Sequence, residues 1–249
     1  MTWLIALGVV GVAGFLTGMT GFGFSVLSVP LLLLLYGPRE VVVVVLCLVP
    51  LTSALLLLTP TLRGVLDVRL CAALSGCSLI GLPIGLWIFH RFDPIWVNGL
   101  IGVALVAFAG FGLLVDTDWS ARHAWIVPSG ILGGILATST GLSGPAVAMY
   151  VHGRRLSNAQ QVATMAAYVG VVSVLGIGLL ALRGEVRPDV LQRVASLAPI
   201  ALVGVAVGRW WARRQHDTIE RLTLYALGLM GIWTVGRAVL GWLAPGGMT

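Results

Sequence analysis

The amino-acid sequence predicts an all-α integral membrane protein built as two inverted repeats. Each repeat holds about five hydrophobic segments and starts with broken or re-entrant helices. Three observations predict this. Of 249 residues, 58% are hydrophobic and only 10% charged, and the mean hydropathy is +1.02, whereas a soluble domain is about a quarter charged. Several apolar runs reach or approach the ~20 residues that a spanning helix needs. Finally, an ordered series of small-residue motifs returns about 120 residues further on. Runs such as VPLLLLLY and VVVVVLCLVPLTSALLLL do not alternate, which excludes the pattern of a membrane barrel.

In chain order, the first half carries apolar segments at 3–18, 22–36, 41–59, 69–90 and 95–115. The opening MTWLIALGVV has no basic flank and no small-residue cleavage site, so it reads as a retained segment and not a cleaved signal peptide. Segment 22–36 is marginal for a span. The second half carries 124–138, 142–152, 160–182, 190–212 and 221–243. Segment 142–152 is too short to cross alone. Pro30, Pro50, Pro83 and Pro199 lie within segments and imply kinks. The long polar stretches are DTDWSARHA (116–124) and RWWARRQHDTIER (209–221), and neither has the composition of a domain linker.

The halves match in order. At an offset of 120, TG at 20–21 meets TG at 140–141, LRG at 62–64 meets LRG at 182–184, and Gly14 meets Gly134. At an offset of 123, Gly81, Gly85 and Trp87 meet Gly204, Gly208 and Trp210. Residues 1–118 and 119–249 are therefore read as two membrane repeats of one integrated transmembrane domain. Five segments is an odd number, so the second repeat enters the bilayer reversed. GLPIG (81–85) and GVAVG (204–208) are small-residue faces for close helix packing.

All 15 basic residues are arginines, set singly or in pairs in short loops. This is a topology signal and not a nucleic-acid arm, so no nucleic-acid partner is expected. Alternate loops collect nine arginines on one face and six on the other. The richer face is expected to be cytoplasmic, which puts both termini outside. Trp3, Trp96, Trp125, Trp210 and Trp211 stand near segment ends, where tryptophan anchors in the interface.

The candidate site lies at the two interruptions, TGMTGFGFSV (17–26) and ATSTGLSGP (137–145). Backbone at membrane depth unwinds only where it is buried in protein or lines a cavity. Paired interruptions in two halves point to a transporter site. Half-helix starts there present N–H groups and a positive dipole end. Hydroxyls of Thr17, Thr20, Ser25, Thr138, Ser139, Thr140 and Ser143 would add donors. Such a site suits a small anion. The bland alternative is that the small residues serve helix packing and the hydroxyls bond to their own helices.

The nine carboxylates, Glu40, Asp67, Asp93, Asp116, Asp118, Glu185, Asp189, Asp217 and Glu220, all fall in loops or at segment ends. That argues against a cation substrate or a carboxylate proton relay. Tyr150 and His152 follow the second break, and His152 reads as an interfacial residue beside Arg154 and Arg155. Cys47, Cys71 and Cys77 sit in apolar segments and read as small hydrophobes. No catalytic cluster, metal signature or P-loop is present, so neither an enzyme nor a cofactor is expected. TGFGF echoes a potassium filter, but that filter needs four copies. GLSGP is not a nucleophile elbow, because Pro145 replaces the last glycine.

The order of GFLTGMTGFGFSVLSVPLLL (14–33), LRG (62–64), GLPIG (81–85) and GGILATSTGLSGP (133–145) resembles the sulfite exporter TauE/SafE family over nearly the whole chain. That family is also called the toluene-sulfonate uptake permeases. The resemblance implies a multi-pass carrier in a bacterial inner membrane. Its substrates would be small sulfur-containing anions such as sulfite, sulfonates, sulfoacetate or thiosulfate. Site roles carry over to Thr20, Gly21 and Gly23, and to Thr140, Gly141 and Gly144. Phe22, Phe24, Leu142 and Pro145 depart from the family's pattern. Bulky residues there would narrow the site or contact an organic substrate's carbon tail.

The reading is a secondary carrier with substrate bound near the midplane at Thr20, Gly21, Phe22, Gly23, Phe24 and Ser25, and at Thr138, Ser139, Thr140, Gly141, Leu142, Ser143 and Gly144. Rocking of one half against the other would alternate access. Protons and the lipid bilayer are further partners, and a homodimer is one assembly the sequence allows. The alternatives are an anion channel or passive exporter, and a non-transporting membrane assembly subunit.

Overall fold

The computed structural model describes residues 2–92, 125–154 and 156–214, together with Trp96, Gly99, Leu100, Gly102 and Val103. Helices run in the order α1 (Thr2–Thr20), α2 (Gly23–Leu32), α3 (Pro38–Leu57), α4 (Pro60–Arg63), α5 (Val68–Arg91), α6 (Ile126–Thr140), α7 (Pro145–His152), α8 (Asn158–Leu182) and α9 (Pro188–Ala212). No strand occurs among the described residues. Five helices, α1, α3, α5, α8 and α9, are long and apolar enough to cross a membrane. The expected segments 95–115 and 221–243, and the boundary at 118–119, lie wholly or almost wholly outside the described residues.

Local chemistry accounts for the helix limits. Proline, whose missing N–H costs nothing in a first turn, opens α3, α4, α7 and α9. Asp67 caps α5 by accepting from Leu70 N at 2.9 Å. Ser157 and Gln160 close a reciprocal capping box on α8. The four prolines expected to kink helices do lie inside α2, α3, α5 and α9.

The two short helices have 10 and 8 residues. At 1.5 Å per residue they reach about 15 and 12 Å, half or less of the ~30 Å hydrocarbon core. Each follows a longer helix across a break. The expected segment 22–36 therefore ends as a helix at Leu32, where 33–35 form turns.

α3 and α8 pack on each other at the centre, α1 lies along α9, and α5 lies along α6. The last two pairings use equivalent contacts. In a bilayer, close packing holds helices together where hydrophobic burial gives little drive. Gly81 and Gly85 of α5 stand against the carbonyls of Ile131 and Ile135 in α6. Gly204 and Gly208 of α9 stand against the carbonyls of Gly11 and Phe15 in α1. A Cβ at any of the four would collide with backbone. Reciprocally, Gly14 faces Ala201 O and Gly134 faces Ser78 O. The small-residue faces read from the sequence are thus helix contacts, and each joins a helix of the first half to one of the second.

The LRG match does not extend to conformation. Gly184 adopts φ +73 just beyond the end of α8, whereas Gly64 at φ −76 follows the single turn of α4.

Candidate functional site

The breaks after α1 and α6 share one geometry. Gly21 and Gly141, 120 residues apart, both adopt the left-handed region, at φ 85 and φ 78, which favours glycine. Gly21 N donates to Thr17 O at 2.8 Å, and Gly141 N donates to Ala137 O at 3.0 Å. The threonine before each glycine has a double role. Thr20 Oγ1 donates to Leu16 O at 2.9 Å and accepts from Gly23 N at 3.2 Å. Thr140 Oγ1 donates to Leu136 O at 2.7 Å and accepts from Leu142 N at 3.3 Å. Each threonine so closes one helix and ties down the chain that begins the next.

Central helices receive the breaks. A Cβ on Gly21 would lie 2.6 Å from Val162 O of α8. A Cβ on Gly141 would lie 3.5 Å from Val42 Cα of α3 and 3.3 Å from Val29 Cγ2 of α2. The breaks also meet one another: a Cβ on Gly144 would stand 2.9 Å from Phe22 Cδ2. The structure thus brings together the two stretches singled out in the sequence. Gly21, Gly23, Phe24, Ser25 and every residue from Thr138 to Gly144 are buried, and Phe22 is half-buried.

Most hydroxyls point back to backbone in this conformation. Thr17 donates to Ala13 O at 2.8 Å and Ser139 to Ile135 O at 2.6 Å. Thr138 reaches across to Leu82 O of α5 at 2.8 Å. With the protons of Thr20 and Thr140 also committed, these five are helix locks as the chain stands. Ser143 differs: its Oγ is fully buried and has no hydrogen-bond partner among the described residues. Burying a hydroxyl without a partner is costly. Beside it begins α7, whose first residue, Pro145, has no N–H. The N–H groups of Ala146 and Val147 fall in a first turn that offers them no helical carbonyl, and the dipole there favours negative charge.

Among the described residues, the carboxylates stand at helix ends or in loops. Glu40 pairs with Arg193, Glu185 with His90 at 3.0 Å, Asp67 caps α5, and Asp189 sits in the first turn of α9. The other five lie outside the described residues. Tyr150 is buried in α7 and its hydroxyl accepts from Arg154 Nη1 at 3.2 Å. His152 is exposed. No group of three or more His, Cys, Asp or Glu able to hold a metal occurs among the described residues.

One buried polar node escaped the sequence reading. Ser78 Oγ lies 2.9 Å from Tyr168 Oη and 2.8 Å from Gly130 O, joining α5, α6 and α8. Its members are scattered along the chain and share no motif, so only their approach in space identifies them.

Comparison with known proteins gives one match. The family model described as Sulfite exporter TauE/SafE covers residues 5–234. No curated protein and no solved structure matches the chain.

Proposed function

The chain belongs to the sulfite exporter TauE/SafE family, a family of membrane transporters, and from that premise we propose that it carries small sulfur-containing anions through a site between its two helix breaks. Sulfite, short sulfonates, sulfoacetate and thiosulfate are the substrate class. The carrying observation is the buried, partnerless Ser143 Oγ beside the start of α7. A hydroxyl and first-turn N–H groups are donors without charge, which suit an oxyanion. No described carboxylate stands among the break residues to repel it.

The remaining roles follow from this placement. Gly21 and Gly141 let the backbone turn, Thr20 and Thr140 hold the turns, and Phe22 and Leu142 set the width available to a carbon tail. The two halves are read as inverted repeats whose relative rocking opens the site to either face. A proton would travel on the substrate, as bisulfite. The Arg-richer face is assigned to the cytoplasm of a bacterial inner membrane.

The test is transport by the purified chain in proteoliposomes. Saturable uptake of sulfite or a short sulfonate is expected, accelerated by a pH gradient. Ser143→Ala should weaken uptake severalfold while leaving unfolding temperature unchanged or higher, because it removes an unsatisfied buried hydroxyl. Flux that never saturates would indicate a channel. No flux of any sulfur oxyanion would end the transport reading.

A further inference from the structure

A second polar cavity borders the first break without sharing a residue with it. A cavity of about 210 Å³ opens between the end of α3 and the end of α9. Leu55, Leu56 and Val205 form apolar walls, and Arg209, Arg213 and Thr59 bring polar groups to it. Among the described residues, no carboxylate lines the cavity.

Arg209 lies in the last turn of α9, and Arg213, four residues on, caps it with helical backbone angles, so the two share one face. Like charges in that relation repel each other. Arg209 is half-buried, and its Nε is buried with no hydrogen-bond partner among the described residues. Its Nη2 makes a long hydrogen bond to Thr61 Oγ1 at 3.5 Å. A guanidinium has five N–H donors in a fixed fork, and the described lining of the cavity offers no carboxylate to match those of Arg209 and Arg213. The carbonyl end of α9 favours cations, but it gives no reason for a walled cavity beside them.

We infer that this cavity binds a tetrahedral oxyanion, with Arg209 and Arg213 as its two cationic donors and Thr59 as a hydroxyl contact. Guanidinium forks match phosphate and sulfonate oxygens in pairs. The bound charge would relieve the Arg209–Arg213 repulsion. An apolar group on the anion would lie along Leu55, Leu56 and Val205.

Two sources share this chemistry. One is the headgroup of an anionic lipid, since exposed Trp210 and Trp211 mark an interfacial level. The other is a free oxyanion approaching the first break, because Gly18, three residues before Gly21, packs with its Cβ position 2.7 Å from Arg209 N. The cavity shares no residue with the breaks.

The experiment is thermal unfolding of the full chain in detergent, titrated separately with sodium sulfate, sodium phosphate, a short-chain phosphatidylglycerol and a short-chain phosphatidylcholine. A ligand specific to the folded state raises the unfolding temperature with concentration. The expected result is a rise that is lost in Arg209→Gln and in Arg213→Gln and kept in Ser143→Ala. A rise with phosphatidylglycerol, and none with phosphatidylcholine or the inorganic salts, assigns the site to lipid. A rise with sulfate or phosphate assigns it to a free oxyanion. Arg213 is exposed, so Arg213→Gln keeps the fold and supplies the test if Arg209→Gln does not. No rise in any arm, or a rise that survives Arg213→Gln, overturns the inference.

Discussion

Phe22, in the first break, packs against Gly144, in the second, so closely that a Cβ on Gly144 would stand 2.9 Å from Cδ2 and 3.2 Å from Cβ of Phe22. The two halves of the chain meet here through a ring and the absence of a side chain. Gly144→Ala should therefore cost about 1–3 kcal/mol, the usual range for forced overpacking. Phe22→Ala in the same chain should recover part of that loss. A double-mutant cycle on unfolding in detergent measures the coupling. Additive effects would mean the ring moves aside freely.

The two left-handed glycines should not be equally sensitive. Both lose about 1–2 kcal/mol when a Cβ enters that region. Gly21→Ala also drives its methyl against the rigid carbonyl of Val162, whereas Gly141→Ala meets first the side chain of Val29 at 3.3 Å. Gly21→Ala is expected to reduce folded yield and unfolding temperature more than Gly141→Ala does. Equal losses would contradict this ordering.

The interface glycines predict a contrast within one helix. Gly85→Ala places a methyl on the Ile135 carbonyl and Thr138 Oγ1, while Gly76→Ala meets nothing within 4 Å. Gly76→Ala should be neutral or stabilising by up to about 1 kcal/mol, because alanine is the better helix former. Gly85→Ala should lower the monodisperse yield in size-exclusion chromatography. Gly208→Ala on α9, facing Phe15 O, should match it.

The Ser78–Tyr168 node predicts an asymmetry. Tyr168→Phe leaves Ser78 its bonds to Leu74 O and Gly130 O, at 2.9 and 2.8 Å. It should cost about 1 kcal/mol, the net worth of one ordinary hydrogen bond. Ser78→Ala leaves the fully buried Tyr168 hydroxyl without its partner and should cost more, about 1–3 kcal/mol. Chemical unfolding of the two variants side by side decides it, and the reverse order would mean that Tyr168 finds another acceptor.

Much of the architecture was legible because its causes are local in sequence. Apolar runs marked the long helices: the run at 41–59 became α3 at Pro38–Leu57, and the run at 160–182 became α8 at Asn158–Leu182. Gly21 and Gly141 marked the breaks, since a left-handed turn needs glycine there. GLPIG and GVAVG marked close helix approach, because only a missing Cβ permits it. The direction in which each hydroxyl points was not legible. Thr17, Thr20, Ser139 and Thr140 carry the right atoms, but a side-chain rotamer sends each proton to the carbonyl four residues back.

The sequence by itself determined that the chain is a bundle of apolar helices, where its helices break, and which faces are smooth enough to touch. Length, periodicity and backbone sterics act over a few residues and need no partner to be read. Tertiary structure alone decided which faces touch, that Phe22 lies on Gly144, that Ser143 is a hydroxyl left without a partner at the breaks, and that Arg209 borders a cavity. Each of these depends on groups distant in the chain arriving at one point, and no local pattern encodes their separation in space.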